Sequence, residues 1–136
     1  MDGKEGAASV EATVWQDLLQ QAAAAWPPVP ARLSIGFLGR ADHGARRGRL
    51  LPWPPAEGGG PSRWRDYRGE AEDDLGLLLV LDEAEAVSLC REGLAFLPTM
   101  VRRGKALPYV LRSADELEAA GLMEFVEDLG LVFPKH

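Results

Sequence analysis

The chain predicts an α/β or α+β fold, a single domain in which a mixed sheet of about four or five strands carries helices packed on it. Three observations lead there. Residues 75 to 81 form a continuous apolar run of strand length with no polar face, as in a central strand covered on both sides. Segments with apolar residues at spacings of three and four lie before and after it, the period of an amphipathic helix. Pro and Gly clusters separate these segments, which confines the regular elements to short stretches. At 136 residues, against roughly 100 to 200 per domain, one core is expected.

Residues 1 to 8 hold two Gly, charges and Ala without periodicity, so a mobile N-terminus precedes a domain over 9 to 136. Ser9 can cap a helix in which Val10, Val14, Trp15, Leu18, Leu19 and Ala22 make the stripe, and the Pro at 27, 28 and 30 stop it near Trp26. In RLSIGFLG, Leu33, Ile35 and Phe37 alternate with Arg32, Ser34 and Gly36, the pattern of a strand with one buried face. Residues 40 to 73 read as a long Pro/Gly/Arg-rich loop, with a short strand starting at Leu50 and Leu51. A loop of that length in a compact domain is commonly functional or disordered.

The strand over 75 to 81 follows, and covering both its faces calls for helices on both sides of the sheet. Asp82, Glu83 and Glu85 open a helix over 83 to 92, because carboxylates suit the positive end of the macrodipole. Ala86, Leu89 and Cys90 form its buried stripe and Gly93 ends it. LAFLP at 94 to 98 reads as a short strand, and LPYVLR at 107 to 112 as a second or edge strand. Ser113 and Glu116 make a capping box. They open a helical region over 114 to 129, interrupted at Gly121 and closed by Gly130, and LVF at 131 to 133 should be a final strand.

The net charge of −6 argues against general affinity for nucleic acid or an anionic membrane. The N-terminus MDGKEGAASVEATVW is acidic and polar where a secretory signal is basic and then apolar. No apolar run approaches the roughly 18 residues of a spanning helix, so a cytoplasmic, non-membrane chain is expected. One cysteine excludes an internal disulfide and a cysteine-based zinc cluster. The basic residues are mostly Arg, alongside abundant Ala, Gly and Pro, which fits GC-rich, bacterial-type coding and says nothing of function.

Charge is segregated along the chain. Residues 1 to 31 carry −3, residues 32 to 68 carry +5 from eight Arg and three acids, and residues 69 to 136 carry −8. Within the middle block Arg40, His43, Arg46, Arg47 and Arg49 crowd a Gly-rich turn, and Arg63, Trp64, Arg65 and Arg68 interleave cations with aromatic rings, Tyr67 among them. Guanidinium forks fit phosphate and carboxylate, and aromatic faces stack on planar groups. These nine residues are the candidate ligand-binding set of a small binding or regulatory module that meets an anionic ligand or a protein partner. The competing structural reading pairs the same Arg with Glu70, Glu72, Asp73 and Asp74 downstream.

A second functional reading is an enzyme on phosphate-bearing substrates. GRADHGARRG followed by EDDLGLLLVLD superficially resembles minimal nucleotidyltransferases, in which a Gly-Ser turn after a strand precedes an Asp-x-Asp pair that holds magnesium. Here Glu72 and Asp74 would be that pair and His43 a further polar group. The chain departs from the family's pattern: Arg40 stands where the Ser should be, the intervening loop is longer, and a third carboxylate is missing. Two carboxylates alone make a poor cation cage, so no metal site, cofactor or catalytic residue is assigned. The Gly positions 36, 39, 44 and 48 match neither G-x-G-x-x-G nor G-x-x-x-x-G-K-[ST]. A third reading is a structural homodimer joined through an edge strand at 107 to 112 or 131 to 133.

Overall fold

A computed structural model describes residues 2–26, 32–54, 62–69 and 72–131. Among the described residues there are six α-helices, one 3₁₀ turn and a five-stranded mixed sheet in a single α/β domain. In chain order they are α1 (Asp2–Ala25), β1 (Ser34–Gly39), α2 (Arg40–Ala45), β2 (Gly48–Trp53), β3 (Arg65–Tyr67), β4 (Leu75–Leu81) and α3 (Glu83–Glu92). The 3₁₀ turn Leu94–Phe96, α4 (Leu97–Arg102), β5 (Ala106–Val110), α5 (Ala114–Ala120) and α6 (Met123–Asp128) complete the domain.

The strand order is β3-β2-β1-β4-β5. The central pair β1 and β4 is parallel, and every other neighbouring pair is antiparallel. β4 is buried along its whole length, as its unbroken apolar run requires. Leu77, Leu79 and Leu81 point into the larger core, and Leu78 and Val80 into a second cluster on the opposite face.

The two faces are covered differently. Trp15, Leu19 and Ala23 of α1, Ala86 and Leu89 of α3, and Leu97 and Met100 of α4 all belong to the larger core, with Leu117 of α5 and Val126 of α6. The second cluster gathers Leu38, Leu50, Tyr67, Leu75, Leu78 and Val80, all at most 7% exposed. No described helix buries a stripe on that face; α2, which buries none of its residues, lies against β1, β2 and β4. The expectation of helices on both sides is met unequally: among the described residues the second face carries only the short α2, which buries no side chain. Leucines close over the strands there instead: a Cβ on Gly36 would meet the Leu50 and Leu78 side chains at 2.8 and 3.0 Å. The glycine gives those side chains the space that makes the face apolar without a helical lid.

β1 departs from the one-faced strand expected of it, since all six residues are buried. Ser34, the polar member of the alternation, is 4% exposed and its Oγ donates to the Pro54 carbonyl at 2.7 Å, which removes the penalty of burying a hydroxyl. Residues 94 to 98 are not a strand: the 3₁₀ turn passes directly into α4, with Pro98 in the first turn. Proline is preorganised for a first helical turn, and Leu97 and Met100 at a spacing of three are both buried. The 40 to 73 region also carries more structure than a loop, because α2, β2 and β3 lie within it.

Helix α1 begins at Asp2 rather than Ser9. Its buried stripe is Trp15, Leu19 and Ala23, which leaves Val14 and Leu18, two of the residues expected inside, 50% and 40% exposed. Ser113 and Glu116 form the expected reciprocal cap on α5, and Gly121 closes it in the left-handed conformation at φ 84°. The final strand expected at 131 to 133 lies, beyond Leu131, outside the described residues. No helix among the described residues is long and apolar enough to cross a membrane.

Cys90 was expected within the buried stripe of α3, whose buried residues are Ala86 and Leu89; the thiol itself is half-buried. Burial pushes it above the usual thiol range, against a smaller opposing effect of a backbone hydrogen bond. Since the thiolate is the nucleophile, labelling of the native protein near neutral pH by a maleimide is expected to run several-fold slower than labelling in denaturant. Equal rates would place the sulfur in open solvent.

Candidate functional site

The carboxyl ends of the parallel strands β1 and β4 lead directly into Arg40 and Asp82. In open α/β sheets, ligands bind in the crevice beyond such ends. Here Arg40 Nε meets Asp82 Oδ1 at 3.2 Å and ties the two ends together at the surface. From Arg40, helix α2 runs over the second face of the sheet, and its exit is held by polar contacts. An Asp42 carboxylate oxygen accepts the Arg49 N–H at 3.0 Å, and the Asp42 carbonyl accepts the Arg47 N–H at 3.2 Å. Arg46 caps the helix in the left-handed region at φ 57°, ψ 30°, uncommon for a residue with a Cβ. Gly48, at φ 150°, leaves no room for a Cβ, which would collide with the Asp42 carboxyl.

This arrangement sets the side chains of α2 above β4 and β5. The His43 ring lies on Tyr109 with centroids 4.6 Å apart and planes 31° apart. Beneath them is a cavity of about 300 Å³, with Leu78 in its wall and His43, Arg46, Tyr67 and Tyr109 at its polar border. Gly69 packs against Arg46. Gly48 pairs with Tyr67 across the β2–β3 ladder, so Arg47 and Arg68 stand at the same end of that hairpin as Arg46. All three are exposed, and none forms an ion pair with a described residue. Arg49 is directly opposite Asp66 on the ladder.

Of the other Arg of the candidate set, Arg40 and Arg65 have carboxylate partners, whereas the side chains of Arg49 and Arg63 pair with no described residue. Arg65 grips Asp74 with both terminal nitrogens, at 2.7 and 2.8 Å, and reaches Glu72 Oε2 at 3.3 Å. The hydrogen bond from Arg65 is the main reason the Asp74 carboxyl lies below the usual range, with partial burial opposing it. The same bond raises Arg65 still further. Arg112 secures the turn before β4 by donating to the carbonyls of Glu72, Asp73 and Leu75 at 2.7 to 3.1 Å. Trp64 is a peg: its Nε1 donates to the Gln16 carbonyl at 2.9 Å and its ring stands edge-on to Trp15 at 5.6 Å. Arg63 beside it is exposed.

The nine candidate residues thus separate into groups. His43 and Arg46 share the cavity with Arg47 and Arg68 nearby, Arg40, Trp64 and Arg65 hold elements of the fold together, and Arg49 and Arg63 are exposed outside the cavity. Glu72 and Asp74 meet on Arg65, and the cavity that His43 lines includes neither carboxylate. Among the described residues no three His, Cys, Asp or Glu side chains are grouped to hold a metal ion. Tyr109, Leu111 and Gly69, which complete the cavity, were not singled out in the sequence. The one signal for Tyr109 and Leu111 was the alternation Leu107, Tyr109, Leu111, which along β5 and the residue after it puts three large side chains on one face; Gly69 had none. Fold and site together define a single α/β domain with a basic, aromatic-bordered cavity on the second face of its sheet, between α2 and the middle of the β4–β5 pair. No family model matches this chain, and no curated protein or solved structure does either.

Proposed function

We propose that this chain is a small binding or regulatory module whose cavity beneath α2 receives an anionic group, borne by a small phosphate- or carboxylate-containing ligand or by an acidic segment of a protein partner. The observation that carries this reading is Arg46 lining the cavity beside the His43–Tyr109 stack, with Arg47 and Arg68 brought to the same end of the β2–β3 ladder and none of the three paired with a described carboxylate. Guanidinium groups supply forked donors for phosphate or carboxylate, and a Tyr–His stack offers a face for a planar group. Arg65 is outside this set because its fork is already filled by Asp74.

The test is a titration with pyrophosphate, AMP and an oligoglutamate peptide over a salt series, on the wild type and on the triple variant Arg46→Ala/Arg47→Ala/Arg68→Ala. At least one probe is expected to bind, to weaken as salt rises, and to lose at least about tenfold in affinity in the variant. The melting temperature should hardly move, because exposed substitutions stay within about 0.5 kcal/mol. A wild type that binds none of the three probes at low salt, or a variant that binds them equally well, overturns the reading.

A further inference from the structure

The helical side of the sheet carries a second, larger concavity, a groove of about 530 Å³ where the carboxyl ends of three helices meet. Trp26 follows the last turn of α1, Glu92 ends α3, and Asp128 ends α6; Leu97, Phe125 and Leu129 add apolar wall. The floor is rigid. Trp26 stands edge-on to Trp53 at 5.3 Å and against Phe37 at 5.5 Å, and Trp53 packs on Phe125 at 6.2 Å.

The charge placement is the unexpected feature. Helix carboxyl ends carry partial negative charge, which favours cations and disfavours carboxylates. Yet α3 and α6 each place a carboxylate there, and among the described residues no Lys, Arg or His lines the groove. The last turn of α6 contains no basic residue, and that of α3 contains only Arg91. Neither Glu92 nor Asp128 forms an ion pair with a described residue. An apolar, aromatic hollow with two carboxylates at its rim that no described cation neutralises has the recognition chemistry of an organic cation. Aromatic walls bind its body and attract its charge through their ring faces, and carboxylates take its N–H donors. The volume lies in the range of small-ligand sites, about 300 to 1,000 Å³.

We propose that this groove is a binding site for a small aryl- or alkyl-amine, its apolar body against Trp26, Leu97 and Phe125 and its ammonium toward Glu92 and Asp128. The site is separate from the basic cavity and does not depend on the reading given to it.

The full chain is titrated with tryptamine, with the isosteric anion indole-3-propionate and with the dipeptide N-acetyl-Phe-Arg-amide, following the Trp26 indole N–H signal by NMR. That signal is assigned with Trp26→Phe. Tryptamine is expected to shift it and to bind at least about tenfold more tightly than the anion. Glu92→Gln/Asp128→Asn, both exposed positions, should abolish this preference without lowering the melting temperature, since it removes carboxylates from helix carboxyl ends. The triple Arg variant of the basic cavity should bind tryptamine like the wild type, so the two sites can fail independently. Equal binding of amine and anion, no shift of Trp26 at millimolar amine, or a preference that survives in the double variant overturns the proposal. Tighter binding of the dipeptide than of tryptamine also overturns it, by making the groove a docking site for a partner's basic segment.

Discussion

Replacing Leu79 by Ala is expected to lower the unfolding free energy by about 2 to 5 kcal/mol, the range for deleting a fully buried leucine side chain. Leu79 is 0% exposed and sits in the middle of β4, opposite Phe37 on β1 and Pro108 on β5. Strands on both sides and helices on one face leave the cavity little freedom to collapse, which places the expected cost in the upper half of that range. Stability in a domain of this kind is about 5 to 15 kcal/mol, so the loss is a large share of the total. Urea unfolding should show a lower midpoint with an unchanged slope, because the surface exposed on unfolding is nearly the same. Tyr109→Phe, at an exposed edge position, is the control and should stay within about 0.5 kcal/mol of the wild type. A loss below about 1 kcal/mol for Leu79→Ala would mean that the strand is not enclosed as described.

The same strand shows why part of the fold was legible in the sequence. Leu75 to Leu81 has no polar residue, and no register of a half-exposed strand or amphipathic helix can accommodate that. The Ser113–Glu116 box and the glycines at 93 and 121 were equally informative, because cap chemistry acts within a few residues and needs no tertiary partner. Residues 94 to 98 were ambiguous for the opposite reason. Five mostly apolar residues fit either period, and only the continuation through Met100, packed in the core, decides for a helix. The ladder that makes Gly48–Trp53 a strand is long-range: its partners are β1 and residues 65 to 67, and Pro52 within it argues locally against a strand.

Half of the candidate site was visible for a similar reason. An excess of Arg over 32 to 68 is a property of composition, but which Arg remain without partners depends on where the chain returns. Arg65 finds Asp74 because β3 and β4 bring the two ends of the intervening segment within reach of one side chain. Arg46 and Arg68 become neighbours only through the β2–β3 hairpin. The His43–Tyr109 stack joins α2 to the edge strand β5, a contact that no local pattern encodes. The unequal cover of the two faces, five helices on one and the short α2 on the other among the described residues, was hidden too, since a continuous apolar run specifies burial on both sides without specifying what supplies it.

The pair that removes Arg65 from the binding set also sets the second large effect expected. Arg65→Met keeps the apolar stem but leaves the half-buried Asp74 carboxylate without its two donors. A charged group that loses its hydrogen bonds in such a place costs about 1 to 3 kcal/mol at neutral pH. The orphaned, buried Arg65 Nε works against the wild type and argues for the lower half of that range. The pH dependence gives the diagnosis. Asp74 is held below the usual carboxyl range in the folded state, first by its hydrogen bond to Arg65, so the pair stabilises fully above the unfolded-state value of about 3.9. That contribution is lost as pH falls through the lower folded value. The stability gap between wild type and Arg65→Met, measured by urea unfolding from pH 7 down to pH 3, should therefore be widest near neutrality and shrink below about pH 4. Glu116 is also depressed, first by its hydrogen bond from the Ser113 backbone, but it is present in both proteins and cancels from the difference. In a cycle with Asp74→Ala the two substitutions should couple, because each removes the same pair of bonds. A gap that stays constant down to pH 3, or additive effects in the cycle, would mean that the Arg65–Asp74 bridge does not hold the entry to β4, and would return Arg65 to the residues available for a ligand.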